Sequence, residues 1–192
     1  MHSRFVRAAL SAAALVLATA AARPAAAQGP RFSLSSTDYS RTARIGERHV
    51  FNGFGCSGQN VSPALSWTGA PAGTKSFAVT VYDPDAPTGS GWWHWVVYNI
   101  PANVTSLAAG AGSTTPAAMP AGAVQGTTDF GSKGYGGPCP PPGDKPHRYV
   151  VTVHALKTEK IELPANATAA LVGFELNANR LASATLTARY GR

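Results

Sequence analysis

The sequence predicts a mainly β protein, an antiparallel sandwich with a peripheral helix. Three observations point there. Turn residues recur at short intervals from Asn52 onward, the apolar runs between them are short and rich in β-branched residues, and only a stretch near the C-terminus shows helical periodicity.

The first residues stand apart from this pattern. Arg4 and Arg7 precede an apolar stretch from Ala8 to Ala22, and Ala25, Ala26 and Ala27 offer the small residues that a signal peptidase requires before Gln28. A transmembrane helix needs about 20 predominantly apolar residues, and Arg23 with Pro24 interrupts this run too early. The expectation is a bacterial secretory signal over residues 1–27, a single domain over 28–192, and a mature chain in the periplasm or outside the cell with no transmembrane segment.

Loss of residues 1–27 removes three arginines and lowers the formal charge from +7 to +4. Arg31, Arg41, Arg44 and Arg48 lie near the new N-terminus without aromatic residues interleaved among them, which gives nucleic-acid binding little support. Cys56 and Cys139 are the two cysteines of an exported chain and allow one intramolecular disulfide. They lack the paired spacing that zinc sites favour, so no metal is expected. Asn60, Asn103 and Asn166 each open an N-x-S/T tripeptide, and none is assigned a function in a bacterial chain.

The strands follow in order. In Ser76–Asp83, Phe77, Val79 and Val81 share one face; His94–Ile100 and Arg148–His154 behave similarly. Thr105–Gly137, rich in Gly, Ala, Ser and Pro, reads as a long surface excursion. A helix is expected from about Thr168 to Asn179, with Leu171, Phe174 and Ala178 at helical spacing, although Gly173 weakens it. The last strand, Leu181–Tyr190, puts Ala182, Ala184, Leu186, Ala188 and Tyr190 on one parity.

Within this frame one stretch concentrates chemistry: Asp83 to Trp95, DPDAPTGSGWWHW, in a chain that is 13% charged. If the strands ending at Asp83 and beginning at His94 are antiparallel neighbours, the two residues meet at one rim. Pro84 and Pro87 stiffen the connection that carries Asp85. A strand starting at His147 would bring His147 and Tyr149 to the same rim. In the Gly134–Gly143 loop the prolines remove N–H groups, so those of Gly136 and Gly137 are candidates to face a ligand. Each residue also has a plain structural use. Asp83 beside Pro84 suits an Asx turn, His154 reads as a mid-strand structural histidine, and Trp67, Trp92, Trp93 and Trp95 suit core or rim packing. It is the convergence that marks a site.

These segments resemble the phosphatidylethanolamine-binding proteins, within them the bacterial Raf-kinase-inhibitor-like branch. The resemblance rests on DPDAP (Asp83–Pro87), GWWHWVVYNIP (Gly91–Pro101), GYGGPCPPPGDKPHRY (Gly134–Tyr149) and NVSPALSW (Asn60–Trp67), in order and spacing. It implies an antiparallel β-sandwich with one or two short peripheral helices and a small anion cavity at a sheet end. The ligand residues it implies are Asp83, Asp85, His94, the Gly136, Gly137 and Pro138 backbone, His147 and Tyr149. Eukaryotic members carry a C-terminal helix that helps close the cavity, whereas this chain reaches Arg192 soon after its last strand, so different cavity access is expected.

Two carboxylates in an anion site repel a phosphate by roughly 4 kcal/mol per pair at 4 Å and an effective dielectric of 20. They can instead hold a histidine in its donating form, or receive the ammonium of a zwitterion while tryptophans wall the cavity. The expected ligand is therefore a small anion or a phospholipid head group of phosphoethanolamine type, with no cofactor. An inhibitory or signalling protein partner is the second expectation. Enzyme activity is not expected, because no Ser, Cys or Lys nucleophile stands beside the Asp/His pair in a recognisable motif.

Overall fold

The computed structural model describes residues 31–114 and 119–192; the expected signal segment, 1–27, lies outside the described residues. The elements run β1 (Ser33–Ser35), a 3₁₀ turn (Glu47–His49), β2 (Asn52–Gly53), β3 (Cys56–Ser57), β4 (Leu65–Thr68), β5 (Ser76–Asp83), β6 (Trp92–Pro101), β7 (Ser106–Leu107), β8 (Val124–Gln125), β9 (His147–Leu156), α1 (Ala169–Asn179) and β10 (Arg180–Tyr190). The architecture is mainly β, and every sheet is antiparallel within its strand pairs.

The large sheet has the order β10-β9-β5-β6-β8, and a smaller one the order β1-β4-β7. Phe77, Val79 and Val81 of β5, Val151 and Val153 of β9, and Leu186 of β10 pack with Leu65 and Trp67 of the small sheet in one core. The opposite face of the large sheet meets α1: Ala78, Val96 and Leu156 pack with Ala169, Val172 and Leu176. With β5 covered on both faces and paired along both edges, its run SFAVTVYD is buried almost throughout.

Thr168 caps α1, its hydroxyl accepting from the Leu171 N–H at 3.2 Å. The helix forms where expected but with another phase: Leu171, Phe174 and Ala178 are exposed, and Ala169, Val172 and Leu176 face the sheet. Both rows have helical spacing. The buried one carries the smaller side chains, next to Gly173, which lies against the Trp93 ring. Cys56 and Cys139 form the expected disulfide, which joins the β2–β3 hairpin to the Gly/Pro loop across 83 positions. A loop of that length corresponds to about 4–5 kcal/mol in the chain-entropy account, with typical measured values of about 2–4.

Candidate functional site

Strands β9, β5 and β6 deliver their polar ends to one rim of the large sheet. Asp83 closes β5 and pairs in register with Trp92, while Tyr82 pairs with Val150 on the other side. A β-bulge then decides the direction of the histidine. Val81 pairs with Trp95 and the adjacent Tyr82 with Trp93, leaving His94 as the extra residue. His94 therefore shares the core-facing side with Trp95, and Trp93 turns toward α1. Re-aiming a side chain in this way is a recurrent use of bulges beside functional sites.

The result is a cavity of about 140 Å³ with Asp83, His94, His147 and Tyr149 in its wall. Around its mouth stand Phe54, Trp92, Phe130, Pro140 and Pro141. The polar floor is built as follows. His147 Nδ1–H donates to Asp83 Oδ2 at 2.8 Å, and Asp83 Oδ1 accepts from the Asp85 N–H at 2.8 Å. On its other side, His147 Nε2 lies 3.3 Å from Asp144 Oδ2, so both ring nitrogens face carboxylates. His94 Nδ1–H donates to the Gly136 carbonyl at 2.7 Å, which leaves Nε2 without a hydrogen-bond partner among the described residues. The Tyr149 hydroxyl is buried and has none either.

Burial sets the protonation of the last two groups. It pushes the His94 imidazole below its ordinary range, against the opposing pull of the Gly136 carbonyl and the Asp83 charge. With Nδ1 holding the proton, the neutral ring presents Nε2 as an acceptor. Burial first, and the Asp83 charge second, push the Tyr149 phenol up, so its hydroxyl keeps its proton as a donor.

Several expected contributors take other positions. Asp85 points away from the cavity and grips Arg148: Nε and Nη2 donate to its two oxygens at 2.8 and 2.6 Å, and the Arg148 backbone N–H adds a third bond at 2.8 Å. That guanidinium holds the Asp85 carboxyl down at about 2. Asp85 thus positions the DPDAP segment on β9. The Gly136 and Gly137 N–H groups are not available to a ligand, since they donate to the His94 carbonyl and Asn60 Oδ1 at 2.8 and 2.7 Å. The compact loop they belong to, with Pro138, braces His94 instead. Of the four tryptophans, Trp92 alone is at the cavity; Trp95 donates to Gln125 from the core, and Trp67 packs on Phe77. His154 lies under α1, with Nε2 3.3 Å from the Thr80 hydroxyl and Nδ1 unpartnered among the described residues.

Sequence reasoning missed Phe54, Phe130 and Asp144. Phe130 sits in the aperiodic excursion and carries no pattern. Asp144 had a signal in its place three residues before His147. Phe54 had one in the cysteines: a Cys56–Cys139 link places a residue two positions from Cys56 beside the Gly/Pro loop.

Comparison with known proteins agrees with this architecture. The sequence matches the family described as Phosphatidylethanolamine-binding protein over residues 36–191. It is 57% identical to the UPF0098 protein YbcL of Escherichia coli K12 over 85% of this chain and 90% of that protein. Identity to E. coli YbhB is 54%, over 82% and 98% respectively. The crystal structure of E. coli YbcL, described as a member of the mammalian PEBP family, superposes with a TM-score of 0.82 over 84% of this chain and 98% of that one. A homologue from Chlamydia trachomatis, CT736, gives 0.69 at 31% identity, covering 84% and 97%. With the fold, the motif order and the family match in agreement, this chain belongs to the phosphatidylethanolamine-binding protein family.

Proposed function

We propose that the protein is a binding module of the periplasm or extracellular space that takes a phosphate-bearing or zwitterionic head group, of phosphoethanolamine type, into the rim cavity. The observation that carries this is the Tyr149 hydroxyl, buried in the cavity wall beside His94 with no hydrogen-bond partner among the described residues. An unpaired buried hydroxyl costs about 1–3 kcal/mol, which a ligand oxygen accepting from it recovers. His94 Nε2 supplies a second free position. Asp83 selects what kind of anion enters. It opposes a fully ionised phosphate, and a carboxylate keeps lone pairs beyond the two bonds it already accepts. A ligand that brings its own ammonium or proton satisfies both. Size agrees: the cavity of about 140 Å³ is below the range of about 300–1,000 Å³ that encloses drug-sized ligands.

The extracytoplasmic location is supported by the residue 1–27 pattern and by the disulfide, which persists in oxidising compartments. Among the described residues no helix is long and apolar enough to cross a membrane. Binding without turnover is supported by the cavity's chemistry: Cys139 is in the disulfide, and the Thr88 hydroxyl donates to the Gly91 carbonyl at 2.5 Å. The test is calorimetric and NMR titration with phosphoethanolamine. Saturable one-to-one binding that moves the His94 and His147 ring signals is expected, and unmoved signals at saturating ligand would end the reading. A screen of phosphoester, ester and peptide substrates against wild type and His94→Ala is expected to find no activity dependent on His94.

A further inference from the structure

We propose that Phe54 is the specificity residue that reads what the head group is attached to, favouring an apolar lipid body; this rests on the head-group reading above. Isolated exposed aromatic residues are ordinary, but Phe54 differs in three ways. Its backbone lies at φ +53°, in the left-handed region where a bulky residue is strained. The residue is 68% exposed, so burial does little to offset that strain. And the turn that carries it is tied down twice to the same neighbour. The Cys56–Cys139 disulfide joins the β2–β3 hairpin to the Gly/Pro loop. The Arg192 guanidinium repeats the connection, donating to the carbonyls of Phe54 at 3.2 Å, Gly55 at 2.8 Å and Pro140 at 2.7 Å.

What these ties hold in place is the outer end of an aromatic wall. The Phe54 ring stacks on Phe130 at 5.8 Å and 20°, and Phe130 in turn packs edge-on against His94 at 5.4 Å. The wall therefore runs from the cavity floor to solvent. The cavity holds a head group only, so whatever carries that group lies across the mouth, against Phe54 and the exposed Pro141. An apolar body fits such a surface. Arg192 and the disulfide act as positioning elements for it.

The experiment compares two ligands with one head group: phosphoethanolamine, and dihexanoyl-phosphatidylethanolamine below its critical micelle concentration. Wild type is expected to bind the lipid more tightly. Phe54→Ala should weaken the lipid by about tenfold more than it weakens phosphoethanolamine, the loss of a partly buried phenyl contact. Arg192→Gln should weaken the lipid in the same direction by less. Retained phosphoethanolamine binding reports an intact fold in each variant. Equal losses for both ligands, or an unchanged lipid affinity in Phe54→Ala, would overturn the role of Phe54 and leave the head-group reading standing. A wild type that binds neither ligand would overturn both.

Discussion

His94 and Tyr149 meet edge to face, ring centroids 5.1 Å apart and planes at 80°, although the whole of β5 lies between their strands. The bulge at His94 brings the imidazole inward, and the parity of β9 turns the Tyr149 phenol toward the same hollow. One group then offers an acceptor and the other a donor, neither with a partner among the described residues.

A hydroxyl with no partner contributes little to folding, so Tyr149→Phe should separate binding from stability. The thermal midpoint should stay level or rise slightly, because the variant removes a buried unsatisfied group. Affinity for phosphoethanolamine should fall by about tenfold or more, the loss of one hydrogen bond to a charged group. Differential scanning calorimetry and titration on the same samples check both halves. A destabilised variant with normal affinity would show that Tyr149 serves the core alone.

The rim was legible in the sequence because its members sit at strand ends, where alternation and chain order fix both face and edge. Asp83, His147 and Tyr149 follow from parity alone. His94 does not: strict alternation would put it on the face opposite Trp95, and only the bulge, which has no marker in the run WWHW, brings both inward. Asp85 shows the complementary failure. Sequence spacing places it near Asp83 but says nothing of Arg148, whose fork outcompetes the cavity for its oxygens. Helix α1 teaches the same point. Two rows of apolar residues share its period, and the choice between them is made by Trp93 and the sheet surface, which lie far away in sequence.

Under that helix, His154 gives the fold an acid-sensitive point. Burial, helped by the Arg180 charge, holds its imidazole at about 4, below the unfolded value of 6.5. The unfolded chain therefore binds more protons between these values. The stability contribution is complete above pH 6.5 and is lost as pH falls toward 4. Urea unfolding at pH 7 and pH 4.5 should differ by about 2 kcal/mol on account of this residue. His154→Leu should remove that part of the difference, and an undiminished difference would refute the assignment.

His94 should make anion binding proton-linked. In the empty cavity its neutral Nε2 is an acceptor, and an anion oxygen requires a donor there. Binding therefore raises the proton affinity of the ring, and linkage requires affinity to increase as pH falls. Sulfate is the suitable probe, because it carries no titrating proton of its own near neutrality. From pH 8 to pH 6 its affinity should strengthen by up to about tenfold per unit, with proton uptake visible as a buffer-dependent binding enthalpy. His94→Ala should flatten the profile, and a flat profile in wild type would mean that the ring is already protonated or stays uninvolved.

On the proposed reading, Asp83 should discriminate a zwitterion from a simple anion. Its carboxylate is buried, accepts from His147 and from the Asp85 N–H, and lies in the cavity wall. Asp83→Asn retains an acceptor for one of these bonds while removing the charge, at a stability cost of about 1–3 kcal/mol. For sulfate the change removes a repulsion, so affinity should rise. For phosphoethanolamine it removes both that repulsion and the attraction for the ammonium. The ratio of phosphoethanolamine to sulfate affinity should therefore fall by about tenfold, well within the roughly 4 kcal/mol available to unit charges 4 Å apart at an effective dielectric of 20. Parallel calorimetric titrations measure that ratio directly. If it is unchanged, the ammonium does not meet Asp83, and the carboxylate acts only through His147.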